Sequence, residues 1–559
     1  MRLRGLVLAL AMLAMSTPTV AQETVRPSTV AGRSTVYAPR GVIATSQPLA
    51  SAAGLAVLQA GGNAIDAAVT AAAVLNVVEP HMTGMGGDMF AIVWSAQQQR
   101  LLGLNASGRA GAGMSAAELR RRGHRSVPGS GAEAITVPGA LSGWAALLDS
   151  LGTISLAEAL APAIRIAEEG FPVTPVIAED WADQVEKLQS DAGARAALLI
   201  DGARAPRAGE WFRNPDIART FRRVGEHGPS VLYGGELGAR IAEHVASLGG
   251  FLTREDFARH RADWVEPISA RFRGHTVWEL PPNGQGIAAL EMLRILEPLD
   301  LAAMGHNSAR YLHHLIEAKK LAYADLARYV GDPEHMTVDP LRLLADDFIS
   351  TRRSALDPDR AASRADPGEA ITSSETIYLA AADTEGNMVS FINSVFSAFG
   401  SGVVVPGTGF ALQNRGAGFT LEPDRANTVA PGKRPFHTII PAFVTRPDAR
   451  GAEQPWLAFG VMGGAIQPQG HVQVLLNLLV FDMQLQQAID APRFRHFDGL
   501  RVALEPPIGD AVRDALATMG HDVLELRRGS AGGAQAVMRL ERGWAAASDP
   551  RKDGLAIGH

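Results

Sequence analysis

The chain has 559 residues, 47% of them hydrophobic, with 58 Gly and 33 Pro, which is enough apolar material for a large core and too much for a disordered chain. A formal net charge of −6 and the lack of any long Lys/Arg run speak against nucleic acid and for small-molecule chemistry. With no cysteine, disulfides, thiol nucleophiles and Cys-ligated metals are all excluded.

Residues 1–21 read as a signal peptide: Arg2 and Arg4, an apolar run from Leu6 to Met15, and the small-residue site Thr19-Val20-Ala21. The run falls short of the ~20 residues a spanning helix needs, so a periplasmic or secreted protein is expected, free of the membrane once the signal is removed. The next segment, GVIATSQPLASAAGLAVLQAGGNAIDAAVTAAAVLNVVEP, predicts a strand and two Ala-rich helices, with Asn63 as N-cap of the second. HMTGMGGDMFAIVW predicts a Gly-rich turn entering an apolar strand. A phosphate cradle at Gly84, Gly86 and Gly87 would need a helix to follow, so a tight core turn is the reading.

Residues 140–350 read as mostly helical, with Ser155 and Gly170 bounding one helix and YLHHLIEAKKLAYADLARYVG forming another. His313 and His314 in the latter point about 100° apart and no HExxH spacing occurs, so no metal is expected there. From Asp357 to Ser374 the chain is polar and loop-like. Strands TIYLAAA, MVSFINSVF, HTIIPAFV and WLAFGV follow, then helices at HVQVLLNLLVFD and DAVRDALATMG. Strands and helices in blocks suggest an α/β protein of stacked sheets with helical outer layers.

TIYLAAADTEGNMVSF reads as a hairpin turning at Glu385, which places Ser394 opposite Thr376. Directly opposed residues have Cβ atoms roughly 4.5–5.5 Å apart, within reach for two hydroxyls to share a hydrogen bond. The polar linker ends where this strand begins, the organisation expected if the chain is cut between Glu375 and Thr376. A threonine at a new N-terminus carries its own base, because an α-amino group has a pKa of about 7.7–8.0.

TIYLAAADTEGN resembles the start of the small subunit of γ-glutamyltranspeptidases, N-terminal nucleophile hydrolases that cut themselves before a threonine. The likeness extends through LQAGGNAIDAAV, GMGGDMF, LPPNGQG, EAKKLAYADLARYVGDP, APGKRP, GVMGG and DAPRFRH. It implies a four-layer αββα sandwich shared by a large fragment (22–375) and a small one (376–559) that stay associated, with no cofactor and no metal. It also implies that Thr376 attacks the Glu375 carbonyl in processing and a substrate amide in turnover, and that water or an amine acceptor resolves the acyl-enzyme. Ser394 takes the place of the family's second threonine, and Gly463 and Gly464 match the glycines whose N–H groups face the oxyanion.

The departures lie in the pocket. Asn105 stands where the family has its carboxylate-binding arginine, with Arg109 four residues on as a possible substitute fork. Phe396, Arg415 and Gly418 stand where the family has asparagine, glutamine and aspartate around the substrate amine, and His437 and Thr438 replace its paired serines. A glutamyl ammonium would therefore lack its anionic partner. The expected substrate is a small amide: a γ-glutamyl compound or, better suited to Arg415, a glutaryl or other dicarboxylic monoamide, as in the cephalosporin-acylase-like and oxamate-amidase-like branches. Glutathione hydrolysis or transfer proper, and an unprocessed small-acid binding protein, are the alternatives.

Overall fold

The computed structural model describes residues 33–363, 375–527 and 529–559. The segment read as a signal peptide and most of the polar linker before Glu375 lie outside the described residues. Two seven-stranded antiparallel sheets form the centre. One runs, in spatial order, Leu555–Gly558, Val42–Thr45, Glu375–Ala382, Met388–Phe396, Asp88–Ser95, Arg100–Ala106 and Asp263–Val265; we call it the first sheet. The other runs Val36–Ala38, Trp544–Ser548, Gly533–Arg539, Glu453–Met462, Ala442–Pro447, His275–Glu279 and Ile268–Phe272. The strands Glu375–Ala382 and Met388–Phe396 pack face to face on Glu453–Met462 of the second sheet.

Helices cover both outer faces, so the expected αββα sandwich is present. The helix Ala64–Val78 lies on the first sheet, flanked by Pro48–Gln59, Ala140–Leu151 and Leu156–Glu169. All fifteen of its residues are buried, and its many alanines allow close approach on every side. Asn63 caps it as expected: its side chain accepts from the Ile65 and Asp66 N–H groups, and Asp66 completes a capping box. Gly286–Leu296, Ala309–Tyr329 and Gln467–Leu479 form the layer over the second sheet.

Both sheets mix strands from before and after residue 375. In the first sheet Glu375–Ala382 pairs with Val42–Thr45, and Met388–Phe396 pairs with Asp88–Ser95. Separating the two segments would expose rows of unpaired backbone groups and both central apolar faces, each buried Val, Leu, Ile or Phe contributing about 1.5–3 kcal/mol.

The 140–350 region is mostly helical as expected, and it also holds the strands Ile268–Phe272 and His275–Glu279, joined by a two-residue turn in which Arg273 (φ 48°) and Gly274 (φ 79°) both adopt positive φ, the conformation that matches hairpin twist. One expectation needs correction. The strand read from His437 begins only at Ala442. Pro441 has no N–H for a ladder, and residues 437–438 turn instead toward a loop at 283–285.

Candidate active site

The hairpin has its predicted turn. Pairing is symmetric about Glu385 from Ala382↔Met388 to Ile377↔Asn393, and a bulge then shifts Glu375 onto Phe396. The bulge accompanies a positive φ of 81° at Phe396, an uncommon conformation for a residue with a β-carbon. Thr376 and Ser394 are both fully buried, and the Thr376 hydroxyl donates to Ser394 Oγ at 3.2 Å. The Gly-rich turn supports this pair from behind: a β-carbon on Gly87 would fall 2.2 Å from the Ser394 carbonyl oxygen, so only glycine fits.

Arg415, also fully buried, stands over this pair. Its Nη2 donates to Ser394 Oγ at 3.1 Å and its Nη1 to Thr438 Oγ1 at 2.8 Å, while the guanidinium carbon lies 4.2 Å from the Phe396 ring centroid. These hydrogen bonds go to hydroxyls rather than to a carboxylate, and Nε has no partner among the described residues. Burial pushes the guanidinium down to about 9, against the pull of Asp88, so it is a cation at neutral pH.

Asp88, at the start of its strand, is the buried anion of the site. Its Oδ1 accepts from the Gly108 and Gly139 N–H groups and from Gln413 Nε2 at 2.9–3.0 Å, and its Oδ2 lies 3.0 Å from His437 Nε2. Burial pushes His437 down to about 3, the nearby Arg415 charge adds to that, and the Asp88 hydrogen bond opposes it, so the ring is neutral near pH 7. It therefore donates from Nε2, and its Nδ1 accepts from the Ile439 N–H at 3.4 Å.

Gln285 ties this cluster to the Gly-Gly turn. Its Nε2 donates to the Thr438 carbonyl at 2.6 Å and to the Gly464 carbonyl at 2.8 Å. Gly463 and Gly464, with φ of 129° and 71°, follow directly on the strand Glu453–Met462 that packs against Thr376's strand. An unbroken chain of hydrogen bonds thus runs from Thr376 through Ser394, Arg415, Thr438 and Gln285 to Gly464.

The remaining sequence candidates fall as follows. Asn105 is buried and donates to Asn283 Oδ1 at 2.9 Å, and the Asn283 carbonyl accepts from the His437 N–H, so Asn105 joins the periphery of the cluster. Arg109 lies apart: its guanidinium pairs with Asp332 and Glu334 at 3.3 and 3.1 Å and donates to the Gly432 carbonyl. Gly418 accepts from Asn427 Nδ2 through its carbonyl and leaves no room for a side chain, since a β-carbon would fall 2.7 Å from the Phe436 carbonyl oxygen. Glu375 opens the strand at the bulge. Asp88, Gln285, Asn283 and Gln413 were not anticipated. The available signal was a charged residue closing GMGGD and three amides inside otherwise apolar or Gly-rich runs.

Elsewhere, His313, Glu317 and His521 bring three donor atoms within 4.8 Å of one another, a grouping sequence spacing could not reveal because His521 is 208 residues away. His313 Nδ1 lies 2.9 Å from His521 Nε2, and Glu317 is paired with the Lys320 ammonium at 2.7 Å, so each of the three side chains already has a protein partner. His314 faces away and bonds the Arg310 carbonyl through Nδ1.

Residues 50–559 match the family model for gamma-glutamyltranspeptidase. The chain belongs to the γ-glutamyltranspeptidase family. It is 36% identical over 535 residues to a glutathione hydrolase-like YwrD proenzyme of Bacillus subtilis, covering 94% of this chain and 99% of that one. It is also 36% identical over 536 residues to an oxamate amidohydrolase proenzyme of Klebsiella pneumoniae, covering 93% and 98%. Its fold superimposes on a cephalosporin acylase from Bacillus halodurans with a TM-score of 0.89 at 42% identity, covering 96% of this chain and 98% of that one. Among the described residues no helix is long and apolar enough to cross a membrane.

Proposed function

We propose that this member of the γ-glutamyltranspeptidase family is an exported, self-processing amide hydrolase with Thr376 as nucleophile, acting on amides whose acyl group ends in a carboxylate held by Arg415. The observation that carries the reading is the Thr376–Ser394–Arg415 relay, in which a buried guanidinium lies one hydroxyl away from the threonine. Names of relatives among oxamate amidohydrolase and cephalosporin acylase proteins support the same class.

In processing, Thr376 Oγ1 attacks the Glu375 carbonyl, the 375–376 C–N bond breaks and an ester forms. Water hydrolyses the ester, leaving a carboxylate at 375 and a free amine on Thr376. The large (22–375) and small (376–559) fragments then stay joined by the two mixed sheets. In turnover, the α-amine takes the Oγ1 proton as the oxygen attacks the substrate amide carbon. The oxyanion faces the N–H groups of Gly463 and Gly464, each such donor contributing about 2.7–4 kcal/mol to the transition state. Collapse breaks the C–N bond, the ammonium protonates the leaving amine, and water or an amine acceptor releases the acyl group. Nucleophile and base sit in one residue, so the sequence of steps needs no cofactor.

The pocket side argues for a diacid. Ser394 Oγ is 3.2 Å from Thr376 Oγ1 and 3.1 Å from Arg415 Nη2, so a carboxylate on the acyl chain can reach the guanidinium while its amide carbon rests against Oγ1. Thr438 fixes the second arm of the fork. Arg109 is already paired with acidic residues, and Arg415 takes the carboxylate role instead.

Mass spectrometry of purified protein tests the processing step, with two fragments meeting between Glu375 and Thr376 expected and a single chain from Thr376→Ala. Hydrolysis of glutaryl and oxalyl anilides in preference to γ-glutamyl anilide tests the pocket. An intact chain that turns over these amides would overturn the mechanism, and preference for the γ-glutamyl compound would overturn the assignment of Arg415.

A further inference from the structure

The two glycines proposed to face the oxyanion have backbone conformations that leave the turn loose unless something holds it. Both φ values are positive, and glycine loses more freedom on ordering than any other residue. Hydrogen-bond donors of an oxyanion site act through being fixed before the charge develops. The turn is fixed at three places. The Gln467 N–H bonds the Gly464 carbonyl within the turn itself. Gln285 Nε2 bonds the same carbonyl at 2.8 Å, and the Tyr323 hydroxyl bonds the Ala465 carbonyl next to it.

We infer that Gln285 and Tyr323 are positioning residues of the amide hydrolysis: they pin the two peptide planes that follow Gly464 and so aim the glycine N–H groups. The inference rests on the proposed role of Gly463 and Gly464. The orientation of the Gln285 amide is settled by its partners, since two carbonyl oxygens can receive only N–H groups. Its backbone N–H also bonds the His437 carbonyl at 3.1 Å, and its side chain is almost fully buried. Because one of its protons goes to the Thr438 carbonyl, the same amide couples the Gly-Gly turn to the loop segment that Arg415 grips. Tyr323 is held in turn by Lys319, whose Nζ lies 4.0 Å from the ring centroid and is anchored on His496 Nδ1 and the His496 and Phe497 carbonyls. Gln285, Lys319 and Tyr323 all precede residue 375, whereas the turn they hold follows it. The large fragment therefore supplies the rigidity of a turn that belongs to the small one.

Gln285→Glu replaces both donated protons with oxygen against two carbonyls, and Tyr323→Phe removes one hydroxyl while keeping the ring on Lys319. In fully processed protein, kcat is expected to fall 10- to 100-fold in each, with KM within about twofold of wild type. Affinity for a tetrahedral boronate analogue of the diacid amide should fall in parallel with kcat, while affinity for the free diacid product stays unchanged. Equal losses of boronate and product affinity would make the two residues merely structural and overturn the inference, as would unchanged kcat. Tyr323→Phe is the milder change and decides the matter if Gln285→Glu does not fold. Thr376→Ala in the same assays separates the two levels: activity in Thr376→Ala defeats the nucleophile assignment, whereas an inert Thr376→Ala beside normal Gln285→Glu and Tyr323→Phe defeats the positioning roles alone.

Discussion

Arg415 Nη2 donates to Ser394 Oγ at 3.1 Å, so the side chain that accepts from the Thr376 hydroxyl is itself gripped by a buried cation. Exchanging Arg415 for the glutamine expected of the wider family removes that cation. A hydrogen bond to a charged group is worth about 1.5–3 kcal/mol, so Arg415→Gln should lower kcat/KM for a glutaryl or oxalyl anilide roughly 10- to 150-fold, mainly through KM. The ratio of γ-glutamyl to glutaryl turnover should rise. Steady-state kinetics on the paired anilides checks both.

Ser394 carries a second test. With Oγ removed, the Thr376 hydroxyl, Arg415 Nη2 and the Phe396 N–H, which donates to Ser394 Oγ at 2.8 Å, all lose a shared partner in a buried site. Leaving buried donors unsatisfied costs about 1–3 kcal/mol each. Ser394→Ala should accordingly accumulate uncut chain on a denaturing gel over hours and turn over slowly once cut. Ser394→Thr keeps the oxygen and should process fully.

How far the site could be read beforehand follows from the kind of signal each residue gives. Thr376 and Ser394 were legible because hairpin pairing has a period of two and a turn at Glu385 fixes the register. The bulge at the end of the hairpin was not, since it depends on Phe396 accepting a positive φ to meet tertiary contacts. The hairpin Ile268–Glu279 escaped because its Arg-Gly turn lacks the Asn or Asp that usually marks positive φ. Asp88 and Gln285 carry no local pattern of chemistry. Their roles come from partners at positions 437 and 464, which only the packing of one sheet on the other brings near.

His437 supplies a pH test. Its folded-state pKa is pushed to about 3 from an ordinary value near 6.5, so between those values the unfolded chain binds a proton that the folded chain refuses. The stabilisation from this group is fully present above about pH 6.5 and is lost as pH falls toward 3, at up to about 1.4 kcal/mol per pH unit. His437→Gln has no such proton to bind. The stability gap between wild type and His437→Gln should therefore narrow steadily from pH 6.5 to pH 4, as read by urea midpoints at fixed temperature.

Asp88→Asn tests whether the anion or merely the shape of that side chain matters. An asparagine can keep Oδ1 for the three donors from Gly108, Gly139 and Gln413, but it presents an NH2 group to His437 Nε2, which now donates. Shifting the imidazole proton to Nδ1 only moves the clash, because Nδ1 faces the Ile439 N–H. Two donors face each other whichever tautomer forms, and Arg415 loses the nearest buried negative charge. A hydrogen bond to a charged group is worth about 1.5–3 kcal/mol, so Asp88→Asn should lower stability by an amount of that order despite being almost isosteric. The double variant Asp88→Asn/His437→Gln lets a glutamine oxygen accept from the new NH2 group and should recover part of the loss. A double-mutant cycle on unfolding midpoints measures that recovery, and strictly additive losses would show that the two side chains are not coupled in the way their 3.0 Å contact requires.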